Sequence, residues 1–128
     1  MSLPGADQNL AGTRVRNIRL ESLLGEGGTG EVWAGFDERL RRRVAVKVLR
    51  PGTTQMSIRV DRFFREARAA GEMATDNIVQ ITDSGRADDG TGFLVMELLQ
   101  GESLADLLER EGWLGPRRTA GIALQIAR

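Results

Sequence analysis

The sequence predicts an α+β domain of five strands and three helices. Three observations carry this. Apolar and polar residues alternate with a period of two from Ile18 to Leu49, the period changes to about 3.6 from Asp61, and two strand-like runs then precede two C-terminal helical patterns.

Residues 1–13 mix Pro, Gly, Asp, Gln and Asn without periodicity and read as a flexible tail. The first strand is Ile18-Arg19-Leu20-Glu21-Ser22-Leu23-Leu24, which runs into a glycine-rich stretch. Val32-Trp33-Ala34-Gly35-Phe36 is the second, and Val44-Ala45-Val46-Lys47-Val48-Leu49 the third, closed by Pro51-Gly52. In the long helix, Phe63, Ala67, Ala70 and Ala74 form one stripe, flanked by Phe64 and Gly71. Asn77-Ile78-Val79-Gln80-Ile81-Thr82 and Phe93-Leu94-Val95-Met96-Glu97 are two more strands, with a turn at Asp88-Asp89-Gly90-Thr91-Gly92 between them. Ser103 is a suitable N-cap for a short helix Leu104–Arg110 that Gly112 stops. Pro116 suits the first turn of a last helix, which carries Ala120, Ala123, Leu124 and Ala127 on one side.

The length, 128 residues, suits one domain rather than two. Lys+Arg and Asp+Glu are 18 each, so bulk charge argues against a nucleic-acid or membrane-surface role. The basic run Arg39, Arg41, Arg42, Arg43 reads as a solvated turn between strands; contact with an acidic partner is the alternative. The chain has neither cysteine nor histidine, which removes disulfides, thiolate metal sites and ordinary zinc sites. The lack of cysteine also fits a reducing compartment such as the cytoplasm. The longest apolar runs fall well short of the roughly 20 residues a membrane span needs, and no signal peptide is evident.

Three motifs carry chemistry. Gly25-Glu26-Gly27-Gly28-Thr29-Gly30-Glu31-Val32 fits G-x-G-x-x-G-x-V. Glycines let backbone N–H groups approach phosphate oxygens, and the β-type stretch that follows favours a hairpin lid over a dinucleotide-binding helix start. The plainer alternative is an ordinary hairpin turn. Lys47 shares a strand face with Ala45 and Leu49 and needs either an anionic partner or an edge strand from which it reaches water. Glu66 lies on the rim of the helix's apolar stripe, positioned either to point toward the sheet or to pair with Arg62 at i, i+4. A Lys47–Glu66 pair would be valuable for position, because desolvation offsets most of its Coulomb gain.

In this order the three motifs resemble the N-terminal lobe of a bacterial serine/threonine protein kinase of the eukaryotic-like type. Asn77-Ile78-Val79, Leu94-Val95-Met96-Glu97 and Gly101-Glu102-Ser103-Leu104 extend the resemblance over about residues 16–128. It implies a five-stranded antiparallel sheet with one long helix, plus two helices beginning a C-lobe. The implied division is a tail at 1–13, an ATP-binding N-lobe at 14–99, and an incomplete hinge exit and C-lobe start at 100–128.

The resemblance also assigns roles. Gly25, Gly27 and Gly30, with Glu26 and Gly28, would cover the phosphates of ATP. Lys47 would touch the α- and β-phosphates, and Glu66 would hold Lys47. Leu24, Val32 and Ala45 would sandwich the adenine. Met96 would be the gatekeeper, with plain core packing as the alternative for Met96 and Leu98. The Glu97 carbonyl and the Leu99 N–H would bond the adenine edge. Two departures are modest: Thr75-Asp76 stands where His-Pro is common, and Leu98 where an aromatic is common.

Neither His-Arg-Asp nor Asp-Phe-Gly occurs in the chain, so the catalytic base and the Mg²⁺ ligands are expected beyond Arg128. Any membrane anchor would lie there too. An apolar face on the last helix is expected to point toward that missing lobe, and the protein substrate to belong to the full-length kinase. These 128 residues alone are expected to bind Mg-ATP weakly and to transfer no phosphate. A non-catalytic nucleotide-binding or regulatory module, or an inert gene remnant, remain as alternatives.

Overall fold

The computed structural model describes residues 10–27, 30–49, 56–73, 75–87 and 91–127, with the backbone alone for 56–60, 63 and 70. Outside the described residues lie Gly28 and Thr29 of the glycine loop, the Pro51-Gly52 stop, Ala74, turn residues Asp88, Asp89 and Gly90, Arg128, and the Phe63 and Ala70 side chains. The described residues fall into two compact units, one drawn from Met1–Ala74 and Ile78–Leu98, the other from Thr75–Asn77 and Leu99–Arg128.

The first unit is a six-stranded antiparallel sheet with one helix. Its elements are β1 (Arg14–Val15), β2 (Ile18–Gly27), β3 (Gly30–Asp37), β4 (Arg42–Leu49), α1 (Met56–Glu72), β5 (Ile81–Arg86) and β6 (Gly92–Glu97). The strand order is β1-β2-β3-β4-β6-β5. β4 and β6 are interior and covered on both faces: Val44, Ala45, Val46, Val48 and Leu49 are buried, as are Phe93, Leu94 and Val95.

One face carries the larger core: Ile18, Leu20, Trp33, Val44, Val46, Val48, Phe93 and Val95, closed by Leu10 and Val15. The other face carries a smaller cluster, in which Ala67 of α1 meets Leu49 and Leu94, with half-buried Phe64, Ile81 and Met96 against it. β2 is buried only at its start, through Ile18 and Leu20, and its residues from Glu21 to Gly27 are exposed. Its register slips twice, between Leu20 and Ser22 and between Leu23 and Gly25, so Glu21 and Leu24 have no cross-strand partner on β3. Close crossing of β2 over β3 needs Gly35, where a Cβ would lie 2.7 Å from Ile18 Cγ2.

The sheet departs from the sequence expectation in three places. A sixth strand, β1, pairs with the start of β2. It is too short to show alternation. Residues 10–13 are packed rather than loose: Leu10 is buried, the Thr13 N–H donates to the Leu10 carbonyl, and the Leu20 N–H donates to the Thr13 carbonyl. The fourth expected strand, over 77–82, lies instead at Ile81–Arg86. Its polar run Asp83-Ser84-Gly85-Arg86 hid it, because an edge strand need not alternate cleanly. Contacts made by the side chains hold it: Arg16 Nη1 donates to Asp83 Oδ2 at 2.8 Å, and the Arg16 guanidinium lies 5.1 Å from the Phe93 ring centre. Of the arginine run, Arg39 and Arg41 fall on the exposed turn between β3 and β4, while Arg42 and Arg43 are exposed at the start of β4; Asp37 organises the turn by accepting from the Arg39 and Leu40 N–H groups at 2.9 and 3.0 Å.

The second unit holds α2 (Leu104–Glu111) and α3 (Pro116–Ile126). Ser103 caps α2 through Oγ, which accepts from the Asp106 N–H at 3.1 Å, and Gly112 closes it at φ 73°. Arg110 pairs with Glu102, and its Nε lies 3.2 Å from Glu102 Oε2. An apolar groove is lined by Leu104 and Leu108 of α2, by Leu114, and by Thr119, Ile122, Ala123 and Ile126 of α3. No described residue of α3 is buried: Leu124 is exposed, as expected for the apolar face, and of the groove-lining residues Thr119, Ile122, Ala123 and Ile126 only Ile122 is half-buried. Among the described residues no helix is long and apolar enough to cross a membrane.

Candidate functional site

Side chains alternate along a strand, so Ala45, Lys47 and Leu49 share one face of β4. The ladders extend that face across the sheet. Gly25 of β2 stands opposite Val32 of β3, Val32 opposite Lys47 of β4, and Lys47 opposite Leu94 of β6. A second row runs from Ala34 through Ala45 and Met96 to Ile81. Cross-strand neighbours lie with their Cβ atoms about 5 Å apart. Pairing alone therefore gathers Gly25, Val32, Ala45, Lys47 and Met96 on one patch of one face.

Lys47 is half-buried on a strand flanked by β3 and β6, so it is not an edge lysine. Ala45 is buried, while Val32 and Met96 are half-buried. Leu24, at the second slip of β2, is exposed, as are Glu26 and Glu97. The Glu97 backbone N–H donates to the Gln80 carbonyl at 3.0 Å, and its carboxylate accepts from the Gln80 N–H at 2.9 Å. That second use of Glu97 has no sequence signature. Leu99 belongs to the second unit and is exposed.

The glycines divide into two kinds. At Gly30 a Cβ would sit 2.0 Å from the Val48 carbonyl oxygen, so the β3–β4 ladder itself requires glycine. At Gly25 and Gly27 a Cβ would meet nothing within 4 Å. The fold makes no steric demand for glycine there.

α1 lies against the face that carries Lys47. Ala67 clusters with Leu94, the cross-strand partner of Lys47, and Glu66 immediately precedes Ala67. Glu66 itself is exposed. The helix brings the two residues to one region of the sheet. Leu94 is the neighbour that motif reading passed over; period-two alternation along Phe93–Met96 places it beside Met96 on this face. Among the described residues no group of three or more His, Cys, Asp or Glu side chains is placed to hold a metal ion.

Residues 18–128 match the protein kinase domain family. The chain belongs to that family. It is similar to the serine/threonine-protein kinase pkn3 of Myxococcus xanthus, with 36% identity over 126 residues, covering 98% of this chain and 23% of the relative. It is also similar to the serine/threonine-protein kinase PknA of Mycobacterium tuberculosis, with 40% identity over 119 residues, covering 85% of this chain and 28% of the relative. The chain thus spans about a quarter of the length of these curated kinases. In fold it resembles the crystal structure of the M. tuberculosis PknI kinase domain, with a TM-score of 0.77 at 22% identity, covering 94% of this chain and 48% of that one. The kinase-like α+β architecture expected from the sequence is met, with six strands in place of five.

Proposed function

We propose that these residues form the nucleotide-holding part of a serine/threonine protein kinase, and that the sheet face of Val32, Ala45, Lys47 and Met96 binds ATP. One observation carries the reading: an interior, half-buried lysine shares an apolar face with exposed glycines whose lack of a side chain the fold does not demand. A lysine so placed favours an anionic ligand. With no side chain at Gly25 and Gly27, phosphate oxygens can approach the backbone closely, and Glu26 and Gly28 belong to the same sequence motif. Val32, Ala45 and Met96, with Leu24 at the slip in β2, supply apolar surface suited to a flat ring such as adenine.

In this reading Lys47 holds the α- and β-phosphates, and Glu66 fixes the Lys47 ammonium. The reaction served is transfer of the γ-phosphoryl group to a serine or threonine hydroxyl of a protein. The hydroxyl oxygen bonds to phosphorus, the bond to ADP breaks, and the hydroxyl proton passes to a base. These residues include no His-Arg-Asp, so that base is not among them. Mg²⁺ bound together with ATP would neutralise charge on the phosphates.

Calorimetric titration of the 128-residue chain with Mg-ATP tests the reading. Weak binding is expected, lowered about tenfold by Lys47→Ala, or about 1.4 kcal/mol. No phosphate transfer to a protein substrate is expected. Binding indifferent to Lys47→Ala would overturn the site. Robust phosphorylation by the purified chain, abolished by the same substitution, would overturn the division of labour.

A further inference from the structure

Among its described side chains, α1 meets the sheet through Ala67 and Phe64. Of its described side chains only Ala67 is buried; Phe64 is half-buried, and Arg62, Arg65, Glu66, Arg68 and Glu72 are exposed. A further fastening of α1 comes from the end of β5.

Arg86, the last residue of β5, is such a fastening. Its Nη2 lies 3.4 Å from Asp61 Oδ1, and its guanidinium carbon lies 5.4 Å from the centre of the Phe64 ring. Asp61 and Phe64 are three apart, so one guanidinium engages two neighbours on the same side of α1. Arg86 stands opposite Gly92, two residues along from the Ser84–Leu94 pair, on the sheet face that also carries Lys47. The chain of contact is short. Arg86 holds Asp61 and Phe64, Ala67 of the same helix meets Leu94, Leu94 faces Lys47, and Glu66 adjoins Ala67.

We propose that Arg86 is a positioning residue for the nucleotide site. By fastening the first half of α1 to the end of β5, it sets where Glu66 stands relative to Lys47. This rests on the reading of Lys47 and Glu66 given above. The Arg86 and Asp61 side chains are 50% and 70% exposed, so their ion pair adds little to folding. Its consequence is the placement of α1. A lysine at this position would keep the charge but lose the planar guanidinium that lies over Phe64.

A double-mutant cycle on the full 128-residue chain tests this, with Mg-ATP affinity by calorimetry and amide hydrogen exchange of α1 as readouts. Arg86→Ala is expected to weaken Mg-ATP binding about three- to tenfold and to speed exchange across residues 61–72, with little change in thermal midpoint. Arg86→Lys is expected to recover only part of the affinity. In a Glu66→Ala background, Arg86→Ala is expected to change affinity by less than about twofold, because its effect runs through Glu66. An equal loss in both backgrounds overturns the proposal, as does a lower midpoint with unchanged affinity. Lys47→Ala, measured alongside, separates the two readings. If Lys47→Ala weakens binding and Arg86→Ala does not, the positioning role alone falls. If neither matters, the nucleotide site falls and the positioning role with it.

Discussion

Lys47 faces Leu94 across the β4–β6 ladder, and the buried Leu94 side chain also meets Ala67 of α1. One leucine thus connects the strand that carries the cation with the helix that carries Glu66. Leu94→Ala is expected to destabilise the first unit by about 2–5 kcal/mol, the range for a buried leucine truncated in a packed cluster. Exchange protection of α1 should fall more than that of β3. Chemical denaturation and hydrogen exchange check the two parts.

The glycines of the loop separate by experiment as they do by geometry. Gly30→Ala places a Cβ against the Val48 carbonyl and is expected to cost about 1–3 kcal/mol, with the start of β3 displaced. Gly25→Ala and Gly27→Ala meet open space, so stability is expected to change by less than about 0.5 kcal/mol. Mg-ATP affinity should nonetheless fall in both. Thermal denaturation paired with calorimetry distinguishes them.

In the second unit, Ser103→Ala removes the oxygen that accepts from the Asp106 N–H. The expected cost to α2 is about 1 kcal/mol. The Asp106 amide is the reporter, and its hydrogen-exchange protection should drop before that of Leu108. An unchanged Asp106 amide would show that the cap contributes nothing.

Glu102 and Arg110 make a pH-dependent pair. The hydrogen bond from Arg110 holds the Glu102 carboxyl below its ordinary value, and the same contact raises Arg110. A depressed carboxyl contributes stability that is present above its unfolded value and is lost as pH falls through the folded value. The pair therefore supports the start of α2 at neutral pH and releases it in acid. NMR titration of Glu102 should show its midpoint rise in Arg110→Gln. A midpoint that does not move would assign the depression to another group.

Much of this site is legible in the chain. The glycine loop, Val44-Ala45-Val46-Lys47 and the change of period at α1 are local, and alternation already places Ala45, Lys47 and Leu49 on one face. Ser103 and Gly112 announced the ends of α2 because capping is a matter of a few neighbouring residues. Other features were not legible. β5 escaped because its strand character depends on Arg16, Phe93 and the edge of the sheet rather than on its own pattern. The burial of Leu10 depends on a core assembled from β2, β3, β4 and β6.

The sequence by itself determined the family, the order of the elements other than β1, and the face of β4 on which Lys47 stands. Each follows from residue type and spacing within a few turns or strand residues. Only the tertiary structure decided that β6 lies between β4 and β5, that Leu94 and Met96 flank Lys47 and Ala45, and that Glu66 stays exposed while Ala67 is buried. Those outcomes come from strand pairings and helix docking between segments far apart in the chain, where the energy of burying both partners, not the propensity of either, selects the arrangement.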